Sequence, residues 1–211
     1  MSNRFLITTA IEETWKYDQP VLLLGEWCRP LNNTPERIHL NVDIITDDQV
    51  DPKPLESVIY LNRLHEKLTI ALTRELNDLN NIDKSKRFWL RILGWWLKDY
   101  IYIQYYHWQL IKRVEELGLV NETIIIRDFE KYLMSKTRLT EAEPQLWFHS
   151  SFANIIKNHT KIKYELIDYN QPKNADSFTQ GAKTKIIRNI ARFCNTTQLI
   201  NRNDSFFIGL T

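Results

Sequence analysis

The sequence predicts an α/β protein in which a small, mostly parallel sheet is combined with a long, aromatic-rich helical hairpin. Three observations carry that expectation. Arg4-Phe5-Leu6-Ile7-Thr8-Thr9 and Pro20-Val21-Leu22-Leu23-Leu24 are short apolar runs, the second closed by Gly25, as in strands buried on both faces of a sheet. Residues 55–79 repeat apolar side chains at three- and four-residue steps, the period of a helix surface, and a second helical stretch follows to Gly118. Later short apolar runs alternate with helical stretches, the order that parallel strands and crossovers produce.

Strands are expected near residues 4–9 and 21–25, but only about ten residues separate the two runs. A parallel crossover needs roughly a dozen, so their direct adjacency stays open. Glu12-Glu13-Thr14-Trp15 between them forms a short helix or a loop. Pro30-Leu31-Asn32-Asn33-Thr34-Pro35 has turn chemistry, and His39-Leu40-Asn41-Val42-Asp43-Ile44-Ile45 reads as a third strand.

Val58, Leu61, Leu64, Leu68, Leu72, Leu76 and Leu79 share one face of a helix over residues 55–79. A second helix is expected from near Ser85 to Leu117, stopped by Gly118, and the short Asn80-Asn81-Ile82-Asp83 link makes the pair antiparallel. Aromatic and aliphatic residues between Phe88 and Trp108 surround this helix almost completely, which predicts burial on several sides. Arg87, Arg91, Lys98 and Asp99 interrupt it, so a membrane span is not expected.

Further strands are expected near 122–127, 163–168 and 205–210, with a helix opened by Pro144 and running to about Asn158, and helical spacing over 183–193. The whole of 1–211 is expected to form a single α/β domain. Because the last strand ends directly at Thr211, the chain reads as cut short.

At 211 residues and 43% hydrophobic content the chain can bury a substantial core. Lys and Arg number 28 against 26 Asp and Glu, a balance that offers little attraction for phosphate backbones, so no nucleic-acid partner is expected. Cys28 and Cys194 form no CxxC pair and the N-terminus has no export signal, which predicts reduced thiols and a cytoplasmic location. The five histidines lack HxxxH or HExxH spacing, and GxGxxG, GxxxxGK[ST] and GxSxG motifs are absent; neither metal nor cofactor is expected.

In open parallel sheets, ligands gather beyond the carboxyl ends of the strands. Thr9 and Gly25-Glu26-Trp27-Cys28-Arg29 fall there. Gly25 would admit close approach, Glu26 would serve as base or hydroxyl acceptor, Trp27 would stack on a sugar or base, and Arg29 would meet a phosphate or carboxylate. Glu12, Glu13 and Trp15 beyond the first strand would line the same crevice, the carboxylates accepting hydrogen bonds from substrate hydroxyls, although at least one of the two acids reads more readily as a helix N-terminal acid favoured by the macrodipole. An equally weighted alternative makes Gly25 a strand end, Trp27 a packing residue, and Glu26 with Arg29 a local ion pair. His107 reads as a core residue, His149 and His159 as surface groups.

Arg4-Phe5-Leu6-Ile7-Thr8-Thr9-Ala10, residues 12–15 and residues 20–29 together resemble the N-terminal signature of a bacterial transferase family associated with surface-polysaccharide and O-antigen biosynthesis. Arg87-Phe88-Trp89-Leu90-Arg91-Ile92-Leu93-Gly94-Trp95-Trp96-Leu97 is similar to that family's aromatic helix, although Leu90 intervenes and Trp95 stands where proline would be usual. Without proline the helix is expected to be straighter.

The resemblance implies a Rossmann-like sheet and the N-terminal half of a two-domain, glycosyltransferase-like architecture. The chain would be the acceptor-side domain, inactive alone, with Thr9, Glu12, Glu26 and Trp27 facing a cleft. A sugar acceptor would bind here, and a sugar nucleotide mainly on a missing C-terminal domain. Peripheral membrane contact is compatible with it. The competing expectation is a non-catalytic interaction module that docks a partner through the aromatic hairpin.

Overall fold

The computed structural model describes residues 4–16, 18–29, 42–46, 50–51, 53–130 and 144–169. These fall into two compact units: one holds the described residues up to Val50 and from His107 onward, the other those from Asp51 to Tyr106. The expected strand at 205–210, the helix at 183–193 and the turn at 30–35 lie outside the described residues.

The first unit is built on a five-stranded, all-parallel sheet: β1 (Arg4–Ile7), β2 (Val21–Leu23), β3 (Val42–Ile44), β4 (Val120–Ile126) and β5 (Lys163–Ile167), in the order β3-β2-β1-β4-β5. The α/β expectation holds. β1 and β2 are neighbours, with Phe5 opposite Val21 and Ile7 opposite Leu23. Among the described residues of the crossover between them there is a single 3-10 turn, Glu12–Thr14, and no helix, and the indole N–H of Trp15 donates to the Thr9 carbonyl at 2.9 Å to hold it.

Both faces of β1 and β2 are buried, which is why they read as unbroken apolar runs. Arg4 is the polar exception. Its guanidinium donates to the Val21 carbonyl at 3.2 Å and reaches Asp43 at 2.7 Å, tying β1, β2 and β3 together at their amino ends. On the other side of β1, the Thr123 hydroxyl donates to the Leu6 carbonyl at 2.8 Å. β5 is largely exposed along its length.

Two helical segments belong to this unit. The later part of α2 (Lys86–Leu117) buries Trp108, Leu110, Ile111 and Val114, and α3 (Pro144–His159) buries Leu146, Trp147, Phe152, Ala153, Ile155 and Ile156. His107 is a core residue as expected: its Nδ1 is 2.8 Å from the Ser151 hydroxyl and its ring centre 4.3 Å from that of Phe152.

The second unit holds the hairpin of α1 (Pro54–Asn80) with α2 up to Tyr106. Pro54 suits the first helical turn, where no partner for its nitrogen is needed, and Asn81 ends the helix at φ 51°. Leu61, Leu64, Leu68, Leu72 and Leu76 form the buried stripe. Across the pair, Trp89 Nε1 donates to Asn77 Oδ1 at 2.8 Å, His65 Nε2 to the Gly94 carbonyl at 3.2 Å, and the Ser57 and Tyr105 hydroxyls meet at 3.0 Å.

Here the expectation of burial on several sides fails. Trp95 is 80% exposed, Ile92 56% and Phe88 38%; among the described residues, α1 packs on the opposite face of α2 along this stretch. Among the described residues no helix is long and apolar enough to cross a membrane.

Candidate functional site

Parallel strand order reverses about β1, whose neighbours are β2 on one side and β4 on the other. A ligand crevice is expected beyond the carboxyl ends at such a point. The chain itself fills part of it. Ile11, just past β1, packs on Ile126 at the end of β4 and on Leu146 of α3. Gln145 Oε1 accepts the Ala10 N–H at 2.9 Å, while its amide donates to the Trp27 carbonyl at 3.4 Å.

His149, one turn along α3, was expected at the surface and is instead 1% exposed. Its Nε2 accepts the Ile126 N–H at 3.0 Å, so the neutral ring carries its proton on Nδ1, which points at the Thr8 hydroxyl at 3.4 Å. Burial lowers its pKa from 6.5 to about 4, keeping the ring neutral. The imidazole thus joins the ends of β1 and β4.

The loop after β2 is fixed by its own side chains. Residues 26–28 form a 3-10 turn capped by Gly25 and Arg29. Trp27 Nε1 donates to the Thr8 carbonyl at 3.1 Å, and its ring lies parallel to that of Phe152 at 6.4 Å. Cys28 Sγ donates to the Ile7 carbonyl at 3.3 Å. Desolvation pushes that thiol up to about 12, which makes it an inert core group.

Glu26 and Arg29 point outward and pair with each other at 2.5 Å, the local ion pair of the alternative reading. At the end of β4 and β5, Arg127 Nε meets Asp168 Oδ1 at 2.8 Å, a second exposed pair that the sequence did not single out. Glu12 and Glu13 are exposed on the 3-10 turn between β1 and β2. The carboxyl edge therefore presents charged groups over a floor of Thr8, Thr9, Trp15, Trp27, Gln145 and His149.

Thr9 is fully buried, and among the described residues its hydroxyl has no hydrogen-bond partner. An unmade bond of this kind costs about 1–3 kcal/mol. Thr9→Val, which keeps the shape and removes the polar atom, is expected to leave stability unchanged or raise it by about 1 kcal/mol in urea unfolding. A clear loss of stability would mean that the hydroxyl serves the folded state.

Of the sequence-derived candidates, the structure gathers Thr9, Gly25, Glu26, Trp27 and Arg29 around the ends of β1 and β2, and sets Glu12 on the neighbouring turn. Gln145 and His149 were missed, since nothing in the local pattern of α3 marks them. Among the described residues no group of three His, Cys, Asp or Glu side chains could hold a metal ion.

Residues 4–211 match the family model described as LIC12162 family transferase. No curated protein and no solved structure gives a significant match.

Proposed function

From the premise that the chain belongs to the LIC12162 family of transferases, we propose that the loop after β2 is one wall of an acceptor site for glycosyl transfer in bacterial surface-polysaccharide synthesis. Glu26 is the group that orients or deprotonates the acceptor hydroxyl. The observation that supports this is the combination of a solvent-facing carboxylate with a rigid base: Glu26 is exposed, whereas Trp27 and Cys28 beside it are anchored to the carbonyls of Thr8 and Ile7. A carboxylate so mounted can exchange its Arg29 partner for a sugar hydroxyl without disturbing the sheet.

Arg29 then has a second use. Once Glu26 turns to the acceptor, the guanidinium is released to meet an anionic group on the ligand. The anchored Trp27 ring supports the loop and borders the sugar, and Glu12 supplies a further acceptor of hydroxyl protons. A sugar nucleotide would contribute the transferred group, held mainly by protein outside this wall.

Titration calorimetry with oligosaccharide repeat units tests the assignment. Glu26→Gln is expected to weaken acceptor binding about tenfold or more, the loss of one charge-assisted hydrogen bond. Folding stability should change by less than about 0.5 kcal/mol, because the Glu26–Arg29 pair is exposed. Acceptor affinity identical to wild type would remove Glu26 from the site, and tight sugar-nucleotide binding by this chain alone would move the donor site onto it.

A further inference from the structure

We propose that the exposed stripe of α2 docks on an anionic lipid bilayer, lying in the headgroup plane without crossing it. Phe88, Ile92 and Trp95 are spaced by four and three residues, which brings them within about 60° of one another around the helix. All three are exposed, and Trp95 is among the most exposed large hydrophobic side chains of the protein. Contiguous apolar surface of this kind marks an interaction face.

The charges beside the stripe identify the partner. Residues 84–98 contain five cations and no acid. On α2, Arg91 and Lys98 follow the stripe along one flank, with Arg87 just beyond, all within about 140° of Ile92 on the same side, and Lys84 stands two residues before the helix begins. Lys86 is paired with Glu66, but among the described residues Lys84, Arg87, Arg91 and Lys98 have no carboxylate within ion-pair distance. Lys84 instead lies 5.7 Å from the Phe88 ring centre and Lys98 5.8 Å from that of Tyr102, so their stems cover aromatic surface while the charges stay at the edge.

An apolar ridge with tryptophan and a one-sided row of cations is complementary to acyl chains overlaid by anionic headgroups. A second copy of the chain fits worse, because it would bring the same cations against each other. Asp99, exposed one turn beyond Trp95, ends the stripe and confines the contact to the first three turns of α2. The inference stands independently of the glycosyl-transfer reading; together they would set an acceptor site on a protein held at a membrane surface.

Co-sedimentation of the 211-residue chain with vesicles decides the matter. Binding is expected to vesicles of phosphatidylcholine mixed with phosphatidylglycerol, to be far weaker with phosphatidylcholine alone, and to fall as salt is added. Trp95→Ser should lower the partition coefficient at least about tenfold. Arg87→Ser and Arg91→Ser should each lower it about fivefold. Because these side chains are exposed, circular dichroism should be unchanged in every variant. Absence of binding, binding indifferent to phosphatidylglycerol and salt, or an unaffected Trp95→Ser variant would overturn the proposal. So would a lipid-free dimer that Trp95→Ser abolishes.

Discussion

Gly25→Ala is expected to destabilise the protein by about 1–3 kcal/mol, read as an earlier thermal or urea unfolding midpoint. The reason is steric. A Cβ on Gly25 would fall 2.1–2.5 Å from three carbons of the Trp27 six-membered ring, inside any tolerable contact. Backbone conformation contributes nothing to the effect, since φ at Gly25 is 178°, which any residue adopts.

Trp27 cannot simply swing away. Its N–H is bonded to the Thr8 carbonyl and its own carbonyl accepts from Gln145, so a displaced ring pulls on β1 and α3 together. The double variant Gly25→Ala with Trp27→Ala makes the mechanism testable. With the ring gone, the three closest contacts of the added methyl are gone, and the Gly25 substitution should cost clearly less in that background than in the wild type. Equal cost with and without Trp27 would show that the glycine is needed for some other reason. Under the acceptor role proposed for Glu26, the shifted loop of the single variant should also weaken acceptor binding.

How far the fold could be read from the sequence depended on how local the cause was. Phe5, Leu6 and Ile7 with Leu22 and Leu23 announced buried parallel strands because both faces of each strand are covered. The pairing of Glu26 with Arg29, three residues apart, was legible as one of two equally weighted readings of that loop. The adjacency of β1 and β2 was not legible, since it relies on a crossover whose described residues form one 3-10 turn and no helix, secured by the Trp15 indole. The exposure of Trp95 was misjudged for a related reason. Aromatic residues all around a helix state what it could bury, while the number of partners it has is a tertiary fact.

His149 shows the limit most clearly. Its two nitrogens face Ile126, 23 residues away, and Thr8, 141 residues away, and no spacing in the chain foretells that meeting. The consequence is a strong acid dependence. In the folded protein the imidazole titrates at about 4, against an ordinary value of 6.5. Above pH 6.5 both folded and unfolded chains hold it neutral, and it adds no pH dependence. As pH falls from 6.5 towards 4 the unfolded chain takes up a proton that the native site refuses, so stability declines by about 3 kcal/mol across that window and levels off below it. Glu122 and Glu130, whose pKa values are lowered from 4.5, add their own losses only at the acid end, while His159, also lowered and partly exposed, contributes less in the same window.

Two substitutions separate the imidazole from these neighbours. His149→Gln keeps an acceptor for the Ile126 N–H but cannot titrate; its urea midpoint should fall much less between pH 7 and pH 4 than that of wild type. His149→Phe removes both titration and acceptor. The Ile126 N–H is then buried unpaired, and about 1–3 kcal/mol should be lost at every pH, with the acid slope equally flattened. A wild-type slope in both variants would transfer the acid sensitivity to His159 or the carboxylates. A flat slope joined to a neutral-pH loss in His149→Phe alone would establish that a single neutral histidine fastens the end of β4 to α3 beneath the candidate site.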